Sequence, residues 1–190
     1  MEKILLFKKL IVKYTSLDFL RKVFCWLAKI IALVIVVYGL YVFVDNWTEI
    51  GGAAEAIIYM IIHQLIWLFL FYLLLHIWWM KGVEICAMKD KDYVMMPVVS
   101  VYLRGVGESM LVFSILMSLS AMIRALFMNL NYGDAGIPLL LEFSTRSSFL
   151  WSLILLVNGI LVGIILIGFF YLLAELFAVW LEIARNTRKK

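Results

Sequence analysis

Four stretches of the sequence are each long and apolar enough to cross a lipid bilayer as a helix. They cover about residues 23–44, 56–80, 108–128 and 149–180. A spanning helix needs about 20 mainly apolar residues, because each residue advances it by about 1.5 Å and the hydrocarbon core is about 30 Å thick. Since backbone polar groups must be satisfied within lipid, the stretches are predicted to be helices. The predicted fold class is an all-α, polytopic membrane protein with four transmembrane helices.

The composition agrees with a chain whose main solvent is lipid. Of its 190 residues, 66% are hydrophobic and 16% are charged, whereas about half of a soluble domain is apolar. Residues 1–190 are predicted to form a single membrane domain. The net charge of +4 is concentrated at the two ends. We expect these ends to contact anionic lipid headgroups rather than nucleic acid, because no basic stripe carries stacking aromatics outside the spans.

The positions of lysine and arginine predict the direction of the spans. Fifteen of the 17 lie in the N-terminal segment, between the second and third apolar stretches, or in the tail: Lys3, Lys8, Lys9, Lys13, Arg21, Lys22, Lys29, Lys81, Lys89, Lys91, Arg104, Arg185, Arg188, Lys189 and Lys190. The other two, Arg124 and Arg146, lie at the edges of the connection between the last two spans. The connection between the first two spans has none. Because such residues are enriched in cytoplasmic loops, we predict a multi-pass protein of the cell inner (plasma) membrane with both termini cytoplasmic. Cys25 and Cys86 then lie near the cytoplasmic side and are predicted to be reduced thiols, not a disulfide.

The segments outside the spans have their own patterns. Residues 1–22 are predicted to contain an amphipathic helix at the cytoplasmic face, since apolar and basic side chains there occupy different helical faces. Residues 94–107 follow a charged loop and are predicted to be a helical approach near the cytoplasmic surface, in which Gly105 and Gly107 permit a bend. Residues 181–190 form a basic cytoplasmic tail.

Charged side chains at membrane depth are costly and are candidate functional groups. Arg104 and Glu108 share one helical face at a spacing of four residues and can pair. His76 and Glu175 lie at a similar depth on the second and fourth spans, which predicts an inner-leaflet polar cluster of these four residues. The cluster is either a proton or ion site or a polar clasp that holds three helices in register, and the clasp is favoured because interhelical polar contacts commonly have that role.

Three polar residues are predicted deeper in the membrane: His63 and Gln64 on the second span, and Asn158 on the fourth. Asn158 is the expected hydrogen-bond partner of one of the other two. Two histidines on one span also raise the possibility of haem. However, His63 and His76 are thirteen residues apart and so lie about 220° apart around a helix. We therefore expect no haem and no other cofactor.

Small residues form stripes on two predicted spans. Ser152, Gly159 and Gly163 continue a stripe from Ser148 along the fourth span, and Gly159 and Gly163 form a small-xxx-small pair that permits close helix approach. A second stripe follows the third span: Ser114, Ser118, Ala121 and Ala125. A four-helix monomer is expected to have difficulty covering both stripes together with the polar groups, which favours a homo-oligomer or other membrane subunits as partners.

The sequence contains no signature of catalysis or metal binding. It has no Cys-x-x-Cys pair, no metal-spaced histidine cluster, no phosphate-binding glycine loop and no Ser-His-Asp set. The first functional hypothesis is therefore a non-enzymatic, self-associating or accessory subunit that acts as a scaffold in a membrane assembly. The alternative is an oligomeric ion channel or proton-coupled small transporter that uses His76, Arg104, Glu108 and Glu175.

Two segments, LRGVGESM at the third span and LLAELFAVWLEIARNTRKK at the end, resemble a pattern in small, uncharacterised four-helix proteins of bacterial inner membranes. In that pattern an Arg-x-x-Gly-Glu-like start opens an inner helix, and an acidic residue followed by an Ile-Ala-x-Asn-Thr-like ending closes the last helix. The matching positions are Arg104, Gly107, Glu108, Glu175, Ile183, Ala184, Asn186 and Thr187. The resemblance implies a bacterial inner-membrane protein and supplies no activity.

Overall fold

A computed structural model describes residues 17–48, 54–88, 95–128 and 148–188 of the chain. They form four α-helices, which are α1 (Leu17–Thr48), α2 (Ala54–Ala87), α3 (Met95–Met128) and α4 (Ser148–Arg188). Each helix is long and apolar enough to cross a membrane. The structure therefore confirms a helical fold with four such helices. The predicted amphipathic helix falls mostly on residues 1–16, which are outside the described part of the chain.

All four helices extend beyond the predicted spans. They contain 32, 34, 34 and 41 residues, or about 48 to 61 Å of helix at 1.5 Å per residue. Hydropathy marks only the apolar part of a helix, whereas the helix itself can continue through charged turns. The predicted approach over 94–107 is thus part of α3 and continuous with the third span. Pro97 is the third residue of α3, in the first turn, where its missing N–H breaks no intrahelical hydrogen bond.

The chain divides into two compact units, and each takes a segment from all four helices. The first unit contains the described parts of 1–34, 75–108 and 167–190, and the second contains those of 35–74 and 109–166. Charge is distributed unevenly between them. Among the described side chains of the second unit, only Asp45 and Arg124 are charged, whereas those of the first unit include ten charged groups: Arg21, Lys22, Lys29, Lys81, Glu84, Arg104, Glu108, Glu175, Glu182 and Arg185.

Small residues allow close helix packing in the first unit. Ala28 and Ala174 are fully buried in its core. Gly105 and Gly107, which the sequence analysis assigned to a bend, are buried inside the unbroken helix α3. A Cβ atom on Gly107 would lie 2.9 Å from Cβ of Phe170 on α4, closer than real Cβ contacts. At this position glycine permits the close approach of α3 and α4.

A disulfide joins α1 to α2 in the first unit. Cys25 and Cys86 are bonded through their Sγ atoms, with their Cα atoms 5.4 Å apart. The prediction of two reduced thiols is therefore wrong for this structure. That prediction relied only on the expected compartment. The sequence separation of 61 residues gave no sign that the two helices would place these side chains in contact.

The two small-residue stripes pack against each other within the second unit. A Cβ atom on Gly159 of α4 would overlap Cβ and Oγ of Ser118 on α3. Ser114 Oγ donates a hydrogen bond to the backbone oxygen of Gly159 at 2.7 Å. One turn further along α4, a Cβ on Gly163 would lie 3.0 Å from Cδ1 of Leu111. The stripes therefore cover one another inside the chain, so they give no reason to expect a second protein.

Candidate functional site

Glu108 is the centre of a polar cluster in the first unit. Its Oε1 atom accepts a hydrogen bond from Lys81 Nζ at 2.7 Å and another from the Tyr171 hydroxyl at 2.8 Å. Lys81 is on α2, Glu108 on α3 and Tyr171 on α4. We call these three residues, together with Arg104, the Glu108 cluster. One carboxylate thus connects three of the four helices.

Packing brings the lysine to the carboxylate. A Cβ atom on Gly105 would lie 3.1 Å from Cγ of Lys81, so the lysine stem crosses α3 where α3 has no side chain. The side chains of Lys81 and Glu108 are only 12% and 25% exposed. Screening by solvent is limited at this burial, so the charge-assisted bond is stronger than an exposed ion pair. Lys81 Nζ also lies 3.8 Å from Glu84 Oε2, whose side chain is 46% exposed, and that second pair is correspondingly weaker.

Arg104 does not pair with Glu108 in the described part of the chain. Its guanidinium carbon lies 5.9 Å from the centroid of the Tyr171 ring, in a cation–π geometry. Its Nε atom is buried and has no hydrogen-bond partner among the described residues. The clasp therefore has a different composition from the one expected. Lys81 supplies the cation for Glu108, and Arg104 acts through the aromatic ring of Tyr171.

His76 and Glu175 are both exposed, and neither takes part in the two hydrogen bonds of Glu108 described here. Of the four residues predicted to form an inner-leaflet cluster, the structure brings together only Arg104 and Glu108, and it does so through Tyr171. No sequence pattern assigned Lys81 or Tyr171 to this cluster. Lys81 had a usable signal, since it is the first charged residue after the second apolar stretch. Tyr171 had no such signal, because it is one tyrosine among many aromatic residues.

His63 is the centre of a polar network in the second unit, which also includes Tyr59, Trp67 and Ser120. Trp67 Nε1 donates a hydrogen bond to His63 Nε2 at 2.7 Å. An indole N–H can only donate, so Nε2 carries a lone pair and a neutral ring has its proton on Nδ1. His63 Nδ1 is within hydrogen-bonding distance of Ser120 Oγ, with the Tyr59 hydroxyl at 3.4 Å. Protonation of Nε2 would break the bond from Trp67, so this arrangement favours a structural, neutral histidine over a proton carrier.

The residues of the His63 network follow a simple spacing. Tyr59, His63 and Trp67 are each four residues apart on α2, which places them on one helical face. Their rings pack in series, with centroids 5.3 Å apart for Tyr59 and His63 and 5.9 Å for His63 and Trp67. The sequence shows this spacing, but it does not indicate that Ser120 on α3 is a partner of His63.

Gln64 is 3% exposed and also lies in the second unit. Its Nε2 atom donates a hydrogen bond to the backbone oxygen of Phe43 on α1 at 3.2 Å. Its Oε1 atom is buried without a partner among the described residues. Asn158 is half-buried in the same unit. It takes no part in the bonds of His63 and Gln64 described here, whereas the sequence analysis expected it to bond with one of them.

Lys29 lies between two tryptophans in the first unit. Its Nζ atom is 5.6 Å from the ring centroid of Trp26 and 5.4 Å from that of Trp79, and both rings are exposed. Exposed tryptophan rings with a lysine ammonium among them are typical of a membrane–water interface. Trp78, in contrast, is buried next to the ring of Tyr102.

Within the described ranges, no three His, Cys, Asp or Glu side chains are grouped as metal ligands. Comparison with known proteins adds nothing to this picture, because no protein family, curated protein or solved structure is found to match the chain. The resemblance to small bacterial four-helix proteins stays a prediction. Function is therefore inferred from the chain's own residues.

Proposed function

We propose that the chain is a non-enzymatic, multi-pass membrane protein that serves as an accessory subunit of a membrane assembly. One observation carries the proposal, namely an exposed apolar face near the end of α4. We define the α4 face by six residues, all exposed: Leu172, Glu175, Leu176, Val179, Glu182 and Ile183. Their spacing of three and four residues places them on one side of the helix. This pattern is typical of a helix that packs against another protein segment.

The length of α4 makes lipid a poor cover for this face. Residues 149–174 contain no Asp, Glu, Lys or Arg, and at 1.5 Å per residue they span about 39 Å, more than the hydrocarbon core of about 30 Å. The α4 face lies almost entirely beyond this segment. Side chains such as Val179 and Ile183, which are 50% and 57% exposed, then extend towards water. Contiguous apolar surface exposed in that way is typical of a protein interaction site.

The charges on the α4 face favour a partner with a basic group. Glu175 and Glu182 are seven residues apart, on the same side of the helix as Val179 between them. In the described part of the chain neither carboxylate has an ion pair. A parallel second copy of α4 would bring carboxylates together, and like charges destabilise an interface. We therefore expect an apolar partner segment that carries lysine or arginine opposite these two residues.

The Glu108 cluster supports this role by fixing the helix that carries the face. Tyr171 is one turn before Glu175 on α4 and bonds to Glu108 on α3, so α4 is held where its outward face begins. The alternative, a channel or proton-coupled transporter, has less support, because Glu108 is held by two partners and His63 by three. A transporter would show proton flux in liposomes that Glu108→Gln abolishes, whereas a structural carboxylate predicts no flux with or without this substitution.

For localisation, we propose a bacterial inner membrane with both termini in the cytoplasm. The support is the clustering of Lys and Arg before α1, between α2 and α3, and after α4. Reporter proteins fused at residues 1 and 190 should behave as cytoplasmic, and a reporter at Gly133 as external. A cytoplasmic reporter signal at Gly133 would contradict four membrane crossings.

Photocrosslinking in native membranes tests the accessory role directly. A photoreactive amino acid at Val179 should yield an adduct with a different protein, because that side chain is at the centre of the α4 face. The matched control is Leu161 on the same helix, which is similarly exposed at 54% but lies within the uncharged segment. We expect only lipid adducts at Leu161. Glu175→Lys and Glu182→Lys should each weaken the protein adduct at Val179.

The identity of the molecule crosslinked at Val179 distinguishes an accessory subunit from a self-associating protein and from a helix that faces only lipid. Lipid adducts alone at both positions would contradict the proposed subunit role. A dimer of this chain as the sole protein adduct at Val179 would replace the accessory role with self-association. A partner whose crosslinked peptide has no basic residue would refute the charge argument while leaving the apolar contact in place.

A further inference from the structure

The two cysteines of the disulfide differ strongly in accessibility. Cys25 on α1 is 1% exposed, whereas Cys86, the second-last residue of α2, is exposed. A thiolate that attacks a disulfide must reach one of its sulfur atoms. Of the two residues only Cys86 is exposed, so we expect an incoming thiol to bond to Cys86 and release Cys25.

The surrounding charges favour the same direction of exchange. Arg21 is four residues before Cys25, on the same face of α1. Its guanidinium donates a hydrogen bond to the backbone oxygen of Met88, two residues after Cys86. A cation next to a disulfide stabilises the thiolate that leaves. Cys86 lies in the last turn of α2, where the helix dipole is unfavourable for a negative charge.

The contact between α1 and α2 does not depend on the disulfide alone. One turn before Cys86, a Cβ atom on Gly82 would lie 3.3 Å from the backbone oxygen of Cys25 and 3.6 Å from Cβ of Ala28. At Gly82 the backbone of α2 therefore packs closely against α1, next to the disulfide. After reduction this packing would keep the two thiols close together, which is the condition for the bond to form again.

The distribution of lysine and arginine indicates on which side of the membrane the disulfide lies. The sequence ranges of the first unit, which contains the disulfide, also carry most of the lysine and arginine residues, which favours a cytoplasmic position. In mesophilic cells, disulfides in that compartment are usually transient, with a catalytic or redox-sensing role. A bond between two helices, with one accessible sulfur on that side, matches a reversible link better than a permanent one.

We propose that Cys25–Cys86 is a reversible thiol-exchange site, and that Cys86 is the residue that reacts with thiols of the glutathione class. In the first step the thiolate of glutathione attacks Cys86 Sγ. A bond forms between the two sulfur atoms, the Cys25–Cys86 bond breaks, and Cys25 leaves as a thiolate that takes up a proton. A second glutathione attacks the mixed disulfide, which releases oxidised glutathione and the Cys86 thiol. Two glutathione molecules are oxidised and one protein disulfide is reduced. The site is thus a redox-responsive link between α1 and α2.

Purified protein in nanodiscs, equilibrated with buffers of reduced and oxidised glutathione, provides the test. Free thiols are trapped with a maleimide of high mass and counted by gel shift. We expect the bond to open in excess reduced glutathione and to re-form in oxidised glutathione without denaturant. Mass spectrometry of the trapped intermediate should find glutathione on the peptide that contains Cys86. With Cys25→Ala, we expect Cys86 to react at least roughly tenfold faster than Cys25 does in Cys86→Ala, because burial of Cys25 keeps the reagent out and access outweighs the difference in thiolate stability.

Two results would overturn the proposal. A bond that opens only after denaturation would make the disulfide a permanent structural link. Glutathione found on Cys25 would reverse the assigned roles, and this measurement on the unsubstituted chain does not depend on whether either alanine variant folds. The experiment needs no partner protein, so its result is independent of the subunit role proposed for the α4 face.

Discussion

Replacing Gly159 by alanine tests the packing of α3 against α4 in the second unit. The added Cβ atom would overlap Cβ and Oγ of Ser118 and lie 2.9 Å from the backbone oxygen of Ser114. A backbone oxygen cannot rotate away, so the two helix segments must separate. The separation also lengthens the hydrogen bond from Ser114 Oγ to the backbone oxygen of Gly159, which is 2.7 Å in the native chain.

The expected loss of stability follows from these contacts. Overfilling a close-packed site costs about 1–3 kcal/mol, and losing an interhelical hydrogen bond costs roughly 0.6 kcal/mol. The higher helix propensity of alanine offsets up to about 1 kcal/mol of this loss. We therefore expect Gly159→Ala to destabilise the protein by about 1–3 kcal/mol. The matched control is Gly168→Ala, where an added Cβ meets no atom within 4 Å and propensity alone predicts a gain of roughly 0.5–1 kcal/mol.

The assay is the free energy of unfolding in mixed micelles titrated with SDS, followed by far-ultraviolet circular dichroism. In a double-mutant cycle, Ser118→Gly should destabilise Gly159→Ala less than it destabilises the native chain, because it removes the two Ser118 atoms that overlap the added Cβ, although the backbone oxygen of Ser114 stays. Equal stability of Gly159→Ala and Gly168→Ala would refute the packing argument. So would a cycle in which Ser118→Gly costs the same in both backgrounds.

The same unfolding assay tests the polar clusters. Lys81→Met should cost about 1–3 kcal/mol, because it leaves the half-buried carboxylate of Glu108 without its cation; no loss would show that this ion pair is unimportant. Arg104→Ala should cost less, roughly 0.5–1 kcal/mol, since its described contact is cation–π and its Nε is already unpartnered. The reverse order of these two would contradict the assignment of Lys81 as the partner. Ser120→Ala should cost about 1 kcal/mol by removing a hydrogen bond of His63, and a neutral result would mean that the bond contributes nothing.

The number and position of the helices could be predicted from the sequence, because hydropathy is a local property of consecutive residues. The extent of each helix could not. α2 continues seven residues past its predicted end at residue 80, and α3 begins 13 residues before residue 108. These extra turns contain charged or glycine residues, which end an apolar stretch without ending a helix.

The identity of interacting polar residues was predicted only in part. Glu108, His63 and Gln64 were identified as polar groups inside apolar segments, and each has a defined hydrogen-bond partner. Spacing along one helix suggested Arg104 as the partner of Glu108, and depth along a span suggested Asn158 as the partner of either His63 or Gln64. The actual choice depends on how each helix is rotated about its axis, which depth alone does not indicate.

By itself, the sequence determined that this chain forms long apolar helices, where their uncharged segments lie and which residues are costly to bury. These properties depend on residue type and on spacing along one helix. Only the tertiary structure decided that Lys81 rather than Arg104 neutralises Glu108, that Gly159 packs on Ser118 of the same chain, and that Cys25 meets Cys86 across 61 residues. Contacts between helices depend on rotation, register and ångström-scale fit between distant segments, and a pattern within one segment carries none of these.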